Sequence, residues 1–312
     1  MDITTALKGR DFLSLHDFTP EEVLGLVHLG MDLKAKQKAG IPHPYLQGKT
    51  LGMIFEKSST RTRLAFEVGM YQLGGHALFL SPRDIQLGRG ETTADTARVM
   101  SRMLDGIMIR TFGHEQVVEM ARWADVPVIN ALTDLLHPTQ VVADLITILE
   151  HKGTLKGLKL AFIGDGNNMA HSLLFGGAKT GMNVTVACPK GYEPDAGVME
   201  KALADAQQTG AVLSVTDDPV EAAEGADILY TDVWASMGEE AQAEEKESHF
   251  KKYQINAQLI EAAKDDVMVL HCLPAKRGKE ITEEVLEGPH SFVFDEAENR
   301  LHAHKAILAA LL

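Results

Sequence analysis

The chain has 312 residues, of which 45% are apolar and 24% are charged, a composition typical of a globular protein long enough for two domains. Its formal net charge of −14 argues against nucleic acid as a partner, so an anionic ligand would need a local basic cluster. No apolar run reaches bilayer length, and the N-terminus lacks the apolar core of a secretory signal. The two cysteines, Cys188 and Cys272, fit a reducing cytosol, and we expect a cytoplasmic protein.

Short apolar runs predict strands that alternate with helical patterns along nearly the whole chain. In the first half the runs are Leu51–Phe55, Ala77–Leu80, Gly106–Arg110 and Pro127–Asn130. In the second half they are Lys159–Ile163, Val184–Ala187, Val212–Val215, Asp227–Thr231, Val267–Leu270 and Ser291–Phe294. Helical stretches between them include Thr92–Met103, His114–Ala124 and Glu200–Thr209. Continuous apolar strands separated by helices predict an α/β fold with two domains, each a parallel sheet flanked by helices.

The boundary between the domains is predicted near residue 150, giving domains at 1–150 and 151–296. A single helix over Thr139–His151 would join them, with Lys152-Gly153 ending it. We expect the C-terminal helix, about 297–312, to pack back on the first domain. The segment from Gly238 to His249 is acidic and poor in apolar residues, which predicts a solvated helix face or a mobile loop.

The polar segment Ser58-Ser-Thr-Arg-Thr-Arg63 lies between a predicted strand and a predicted helix. A helix start offers unpaired backbone N–H groups and the positive end of the helix dipole. Hydroxyl and guanidinium groups added there form a site for phosphate or a similar anion. A helix cap would be the simpler explanation, but a cap needs only one hydroxyl.

Five further polar clusters also follow predicted strands closely. They are Arg110-Thr111, His137–Gln140, Gly164–Asn168, Asp232–Ser236 and His271-Cys272. Ligands of open α/β sheets bind outside the carboxyl ends of the strands. Clusters on this side of two sheets predict one active site in a cleft between the domains.

Arg110 and His137 each have a structural alternative. Arg110 ends an apolar strand, where it needs either an ion-pair partner or a ligand. His137 could be a structural residue, or it could polarise a carbonyl oxygen while Gln140 holds a neighbouring amide.

The Gly164-Asp165-Gly166 turn raises the possibility of a dinucleotide-binding fold. The full fingerprint needs a third glycine, where Met169 stands, and an acidic residue after the next strand, which ends Ala187-Cys188-Pro189. Both requirements fail. Asn167 and Asn168 instead offer amide groups suited to an amino-acid head group.

Covalent and metal chemistry are also disfavoured by the sequence. Cys272 and His271 are adjacent on an extended chain and would point to opposite sides, so a nucleophilic pair is not expected. Cys188 has no companion polar cluster and is interpreted as structural. His302 and His304 lie in a predicted helix over Glu296–Leu312, where positions two apart diverge. We therefore predict no metal and no organic cofactor.

Together these residues resemble the transcarbamoylase family over essentially the whole chain. Ser-Thr-Arg-Thr-Arg at 59–63 and His-Pro-Thr-Gln at 137–140 are similar to its carbamoyl phosphate motifs. Asp232 through Gly238, His271-Cys-Leu-Pro274 and Asn299-Arg300 are similar to motifs of its ornithine-type members.

An aspartate-type member would have His-Pro-Leu-Pro-Arg at the His271 cluster, with the arginine binding a second carboxylate. Cys272 and Ala275 stand there instead, which fits an acceptor without that carboxylate. Lys276 departs from the histidine of many relatives, but it lies past the motif.

The resemblance implies specific roles for these positions. Residues at carbamoyl phosphate would be Ser59, Thr60, Arg61, Thr62, Gln86, Arg110, His137, Gln140, Cys272, Leu273 and Arg300. Residues at ornithine would be Asn168, Asp232, Ser236 and Met237, and catalytic roles fall to Arg110, His137, Asp232, Cys272 and Arg300. Gln86 resembles a residue that reaches a neighbouring subunit's phosphate, which implies a homotrimer with shared sites; some members assemble further.

The implied activity is carbamoyl transfer from carbamoyl phosphate to the side-chain amine of ornithine, giving citrulline and phosphate in arginine metabolism. The acidic segment after Gly238 would then close over ornithine. Two alternatives stay open: a carbamoyltransferase acting on another amine such as putrescine, and a protein that binds these ligands without turnover.

Overall fold

A computed structural model describes residues 2–87, 89–235 and 243–312. Its residues divide into two compact units, one formed by Met1–Ile146 with Glu298–Leu312 and the other by Thr147–Ala297. We describe the units separately. Of the predicted site residues, Ser236 and Met237 lie outside the described ranges.

The first unit contains a parallel sheet with helices between its strands. Its strands are β1 (Thr50–Phe55), β2 (His76–Leu80), β3 (Gly106–Arg110) and β4 (Val128–Leu132), in the spatial order β2-β1-β3-β4. Its helices are α1 (Ile3–Ala6), α2 (Pro20–Lys38), α3 (Thr60–Gln72), α4 (Thr93–Ser101) and α5 (His114–Trp123). Helix α6 (Pro138–Lys152) begins in this unit and ends in the other.

The two edge strands of this sheet, β2 and β4, differ in burial, and β4 is paired on its outer side by a bridge from Phe12 to Ile129. β3 and β4 are buried at every residue, as strands covered on both faces must be, whereas β2 is partly exposed. Gly52 in β1 has a close neighbour, because an added Cβ would lie 2.4 Å from Leu104 Cδ1. A side chain at Gly52 would therefore require the ends of the Leu104 and Met100 side chains to move.

The second unit contains another parallel sheet. Its strands are β5 (Lys159–Ile163), β6 (Asn183–Ala187), β7 (Leu213–Thr216), β8 (Ile228–Thr231) and β9 (Met268–His271), in the order β7-β6-β5-β8-β9. Its helices are α7 (Asn168–Thr180), α8 (Ala196–Thr209), α9 (Pro219–Ala223), α10 (Ala243–Phe250), α11 (Ala257–Ala262) and α12 (Glu283–Leu286). Helix α13 (Val293–Leu311) begins here and continues into the first unit.

The predicted fold class, two parallel sheets flanked by helices, is confirmed. One predicted strand is wrong, since Ser291–Phe294 makes a single bridge from Ser291 to Val269 and then enters α13 at Val293. Asp295 and Glu296 lie in the first turn of α13, where acidic side chains favour a helix start. This helix therefore begins several residues before its predicted start.

The C-terminal part of α13 is anchored in the first unit by Lys305, which is fully buried. The Lys305 ammonium donates to the side-chain oxygens of Gln37 at 3.0 Å and Gln72 at 2.9 Å. It also lies 3.2 Å from His43 Nε2. Beside it, the His304 ring stacks on Phe66 with centroids 4.1 Å apart, so α13 packs along α3.

No helix of the described residues is long and apolar enough to cross a membrane.

His302 on α13 is expected to make the protein less stable in acid. Burial, with the charges of Lys305 and Lys34, lowers the pKa of His302 to about 4. In the unfolded chain the His302 ring takes up a proton near the ordinary pKa of 6.5. The contribution of His302 to stability is therefore complete above pH 6.5 and falls as the pH is lowered towards 4. When the pH is lowered from 7.5 to 5, the free energy of unfolding should fall by roughly 2 kcal/mol less in His302→Gln than in the parent chain. Urea denaturation at both pH values measures this.

His28→Gln, at an exposed position of α2, is the matched control and should lose as much stability as the parent. Equal acid sensitivity of the His302 and His28 variants would contradict the assignment.

Candidate active site

Polar side chains of the first unit gather at the carboxyl ends of its strands. Ser59 and the residues after it follow β1, Arg110 ends β3, and His137 follows β4. We call these residues, with Arg300 from α13, the first-unit cluster: Ser59, Thr60, Arg61, Thr62, Arg110, His137, Gln140 and Arg300. Because β1, β3 and β4 are parallel neighbours, these ends lie at one edge of the sheet.

The start of α3 is shaped by hydroxyl groups. Ser59 is the N-cap, and its Oγ accepts a hydrogen bond from the Thr62 backbone N–H at 3.2 Å. The Ser59 hydroxyl also donates to Thr62 Oγ1 at 3.0 Å, and Arg300 donates to the same Thr62 oxygen at 2.5 Å. Arg300 is thereby held against the first turn of α3.

Arg61 lies in this first turn, where its positive charge opposes the helix dipole. The first turn of α3 contains no acidic residue. Arg61 Nε is buried and makes no hydrogen bond among the described residues. Arg63 differs, because its Nε donates to Glu67 at 2.8 Å and its guanidinium lies 3.9 Å from the centre of the Phe79 ring. The position of Arg61 therefore points to an anionic ligand.

His137 is buried, which lowers the pKa of its ring well below 6.5. The charges of Arg300 and Arg110 add to this effect, and His304 and Arg61 contribute further. The ring therefore stays neutral near pH 7. A neutral imidazole still donates one N–H hydrogen bond, while the arginines supply the positive charge of the cluster.

The other predicted site residues of the first unit differ in burial. Gln140 is fully buried on α6, and its Nε2 donates to Asp144 Oδ1 at 2.8 Å. Arg110 is buried at the end of β3. Gln86 lies on an exposed turn, where its carbonyl accepts from the Arg89 N–H at 2.8 Å. Among the described residues, no hydrogen bond joins the Gln86 side chain to the first-unit cluster.

Asp232 is the centre of a second group, which follows β5, β8 and β9 in the second unit. We call it the second-unit cluster: Asn167, Asn168, Asp232, Cys272 and Leu273. Asp232 Oδ1 accepts from the Cys272 thiol at 3.1 Å and from the Val233 N–H at 2.7 Å. Its Oδ2 accepts from Asn167 Nδ2 at 3.1 Å. These three donors are neutral, and among the described residues no Lys or Arg forms an ion pair with Asp232, so its carboxylate can bind a ligand cation.

The turn before α7 positions Asn167 and Asn168. Asn167 is the N-cap, and its Oδ1 accepts from the Met169 and Ala170 N–H groups, so its Nδ2 is left to face Asp232. Gly166 passes so close to the Tyr192–Pro194 backbone that an added Cβ would lie 2.4 Å from Pro194 N. Asn168, half-buried, is the first residue of α7.

The acidic segment is described only from residue 243 onwards. There α10 places Lys246 in a buried position, where its ammonium donates to Asp165 Oδ2 at 2.7 Å. The expectation of a solvated face is wrong for Lys246. The partner of this lysine lies 81 residues away in the sequence, so local composition could not reveal it.

Asp232, His271 and Cys272 have ligand atoms within 4.8 Å of one another, a spacing that could hold a metal ion. His271 is poorly suited to this use. Its Nδ1 accepts from the Leu273 N–H at 2.9 Å, and its Nε2 lies 3.0 Å from Glu280 Oε1. A metal would have to displace one of these contacts, so we assign none here.

Several residues around the two clusters were not predicted from the sequence. His304 and Asp144 border the first-unit cluster, and Glu280 holds the His271 ring. His304 was considered only as a metal ligand. Glu280 has no distinctive local pattern, whereas Asp144 could have been found from its spacing of four residues from Gln140 on one helix face.

Two parallel α/β units, each with polar clusters at its strand ends, define a two-domain α/β protein of the class whose small-molecule ligands bind at strand ends. Residues 10–150 match the carbamoyl-P binding domain, and residues 156–311 match the Asp/Orn binding domain, of aspartate/ornithine carbamoyltransferase. The chain belongs to this family. The second match includes the end of α13, which groups by its contacts with the first unit.

Individual relatives match over nearly the full chain. An ornithine carbamoyltransferase of Halalkalibacterium halodurans is 62% identical, covering 98% of this chain and 96% of the relative. The structure of the Pyrococcus furiosus ornithine carbamoyltransferase is 53% identical with a TM-score of 0.95, over 98% of this chain and 97% of that one. An anabolic ornithine carbamoyltransferase structure from Campylobacter jejuni is 46% identical with a TM-score of 0.91, over 96% and 97% of the two chains.

Proposed function

We propose that this chain transfers the carbamoyl group of carbamoyl phosphate to the side-chain amine of L-ornithine, giving L-citrulline and phosphate. The observation that carries the proposal is the match to ornithine carbamoyltransferases across both domains, at 62% identity for the Halalkalibacterium halodurans relative. Ala275 supports ornithine over aspartate, because an aspartate-type site is expected to place an arginine there.

Carbamoyl phosphate is assigned to the first-unit cluster. Ser59, Thr60, Arg61 and Thr62 would hold the phosphate at the start of α3, where backbone N–H groups and the helix dipole favour an anion. Arg110 would bridge the phosphate and the carbamoyl oxygen, and His137 would donate its neutral N–H to that oxygen. Gln140 and Arg300 would contact the carbamoyl nitrogen, and Gln86 would act on a neighbouring subunit.

Ornithine is assigned to the second-unit cluster. Asp232, whose hydrogen-bond donors are neutral, would pair with the α-ammonium group, and Asn168 would bind the same amino-acid end. Ser236 and the backbone of Met237, outside the described residues, complete this assignment. Cys272 and the Leu273 carbonyl would face the reactive side-chain amine and the carbamoyl group that it attacks.

The reaction makes one bond and breaks one. The neutral amine nitrogen attacks the carbamoyl carbon, the bond from that carbon to the bridging oxygen breaks, and the oxygen leaves with phosphate. The carbonyl oxygen becomes negative in the tetrahedral intermediate, which Thr62, Arg110 and His137 would stabilise. Arg61 would stabilise the leaving dianion. The amine loses one proton, for which the departing phosphate is an adequate acceptor, and no cofactor is needed.

The kcat/KM for ornithine is expected to rise with pH between about 6 and 9. By analogy with lysine, the amine pKa is about 10.4, so the neutral fraction grows roughly tenfold per pH unit in this range. The pKa of His137 is lowered well below 6.5, so this ring does not titrate there. Initial rates at saturating carbamoyl phosphate measure the profile. A flat profile would mean that amine deprotonation does not limit this parameter.

Product formation from carbamoyl phosphate with ornithine, putrescine and aspartate, offered separately, tests the proposal. We expect citrulline from ornithine and no turnover of the other two acceptors. Turnover of putrescine alone would keep the phosphate assignment and remove the ornithine assignment. Binding of carbamoyl phosphate without turnover of any amine would favour a non-catalytic protein.

The proposal extends to the pathway, the cellular location and the oligomeric state. We place the activity in arginine biosynthesis, which the anabolic relative from Campylobacter jejuni supports. The same chemistry also serves the urea cycle. A cytoplasmic homotrimer, with Gln86 reaching the phosphate of a neighbouring subunit, and an active site in a cleft between the domains stay predictions from the sequence.

A further inference from the structure

The segment that follows β9 is held by a buried histidine. His271 is the last residue of β9 and is fully buried. Two residues later, Leu273 adopts a left-handed backbone with φ of +57°. A left-handed backbone is unfavourable for leucine, so neighbouring contacts must hold it in place.

The ring of His271 supplies one of these contacts. Its Nδ1 accepts from the Leu273 backbone N–H at 2.9 Å. An acceptor nitrogen carries no proton, so the ring is the neutral form with its hydrogen on Nε2. That Nε2–H donates to Glu280 Oε1 at 3.0 Å. Glu280 therefore selects the tautomer that can hold Leu273.

Glu280 and Glu296 in turn fix His271. Glu280 is fully buried, and its Oε1 also accepts from the Lys276 N–H at 2.5 Å. Glu296 Oε2 accepts from the His271 backbone N–H at 2.8 Å, while its Oε1 accepts from the Tyr230 hydroxyl at 2.9 Å. The strand end is thus anchored through both its backbone and its ring.

Cys272 lies between His271 and Leu273 in the sequence, and its side chain has a different partner from the His271 ring. Its thiol donates to Asp232 Oδ1, whereas the ring before it contacts Glu280. The peptide unit between Cys272 and Leu273 is therefore held by two hydrogen bonds. The Leu273 N–H donates to His271, and the Cys272 thiol donates to Asp232. This restricts the direction of the next group along the chain, the carbonyl of Leu273.

We infer that His271 and Glu280 are positioning residues that aim the Leu273 carbonyl at the reactive amine of the acceptor. The inference rests on the proposed function, which assigns that carbonyl to the ornithine side chain. A carbonyl oxygen accepts from an amine N–H, so its direction sets where the nitrogen lone pair points. Neither residue is assigned a contact with ornithine or carbamoyl phosphate.

Two variants of His271 separate positioning from stability. In His271→Asn, the side-chain oxygen can stand near the place of Nδ1 and still accept from the Leu273 N–H. In His271→Gln, the longer side chain reaches towards Glu280 and loses that acceptor. We expect the KM for ornithine to rise roughly tenfold or more for His271→Gln and by less than about threefold for His271→Asn.

The dissociation constant for carbamoyl phosphate should change little in both variants, because the residues assigned to its phosphate belong to the first-unit cluster and are untouched. Melting temperatures are measured alongside. A purely structural role of His271 predicts that both variants lose stability while their KM values for ornithine stay equal. That result would overturn the inference.

A second pair at Glu280 tests the inference if the His271 variants fail to fold. Glu280→Gln keeps an oxygen that accepts from the His271 Nε2–H and should retain the parent KM for ornithine. Glu280→Met frees the ring and should raise that KM roughly tenfold. Equal KM values for the Gln and Met variants would overturn the inference.

The parent chain is assayed first with ornithine. Failure of the parent to form citrulline would reject the proposed function, and the inference with it. An active parent whose variants do not separate would reject the inference alone.

Discussion

Replacing Arg61 with alanine is expected to lower kcat/KM for carbamoyl phosphate by roughly 10²–10³-fold, equivalent to about 3–4 kcal/mol of transition-state stabilisation. Arg61 lies in the first turn of α3, and its buried Nε makes no hydrogen bond among the described residues. A phosphate dianion would pair with this guanidinium, and more strongly as the leaving group gains charge. Steady-state rates at saturating ornithine, with the carbamoyl phosphate concentration varied, give the ratio.

The fold itself should tolerate this change. A cation in the first turn opposes the helix dipole, and alanine has the highest helix propensity, so the variant should unfold no more easily than the parent. Loss of activity together with a lower melting temperature would therefore contradict a role confined to the ligand.

Arg63→Ala is the matched control, two residues further along α3. Arg63 is engaged by Glu67 and by the Phe79 ring, so its loss removes only a surface ion pair and a cation–π contact. We expect kcat/KM within about threefold of the parent, since such surface contacts contribute little. Equal losses for the two variants would remove the assignment of the phosphate to Arg61.

The carboxyl ends of the strands could be predicted because the sequence pattern that marks them is local. A covered parallel strand must be apolar along its length, so the first polar cluster after it marks the carboxyl end, as Ser59 does after β1. The same reasoning failed at Ser291–Phe294. That run is apolar enough for a strand, but it makes one bridge to β9 before α13 begins.

Partners that are distant in sequence could not be predicted. Nothing near Lys246 marks it as buried, since its acidic surroundings are those of a solvated segment. Its burial depends on Asp165, which the fold brings close. Likewise, His137 was a candidate from its position, but its neutral state depends on burial and on Arg300 from the far end of the chain. A charged group buried by tertiary packing leaves no local pattern in the sequence.

Replacing Asp232 with asparagine should raise the KM for ornithine by roughly 10–100-fold and leave the dissociation constant for carbamoyl phosphate unchanged. Asp232 is buried, and its hydrogen-bond donors are the neutral groups of Cys272, Val233 and Asn167. Its charge is therefore available to the α-ammonium group of ornithine. Asparagine keeps the volume and one acceptor oxygen but removes the charge. Ornithine saturation curves and carbamoyl phosphate titrations measure the two quantities.

Asp227→Asn provides a control at the opposite end of the same strand, since Asp227 precedes β8 and Asp232 follows it. Asp227 is also buried, but it pairs with Lys264 at 2.6 Å and accepts from the Lys159 N–H at 2.8 Å. Its replacement should lower the free energy of unfolding and leave the KM for ornithine unchanged, because the amino ends of parallel strands lie away from the ligand edge. A higher KM for both variants would show that the loss follows damage to β8, and the ammonium of ornithine would then need another partner.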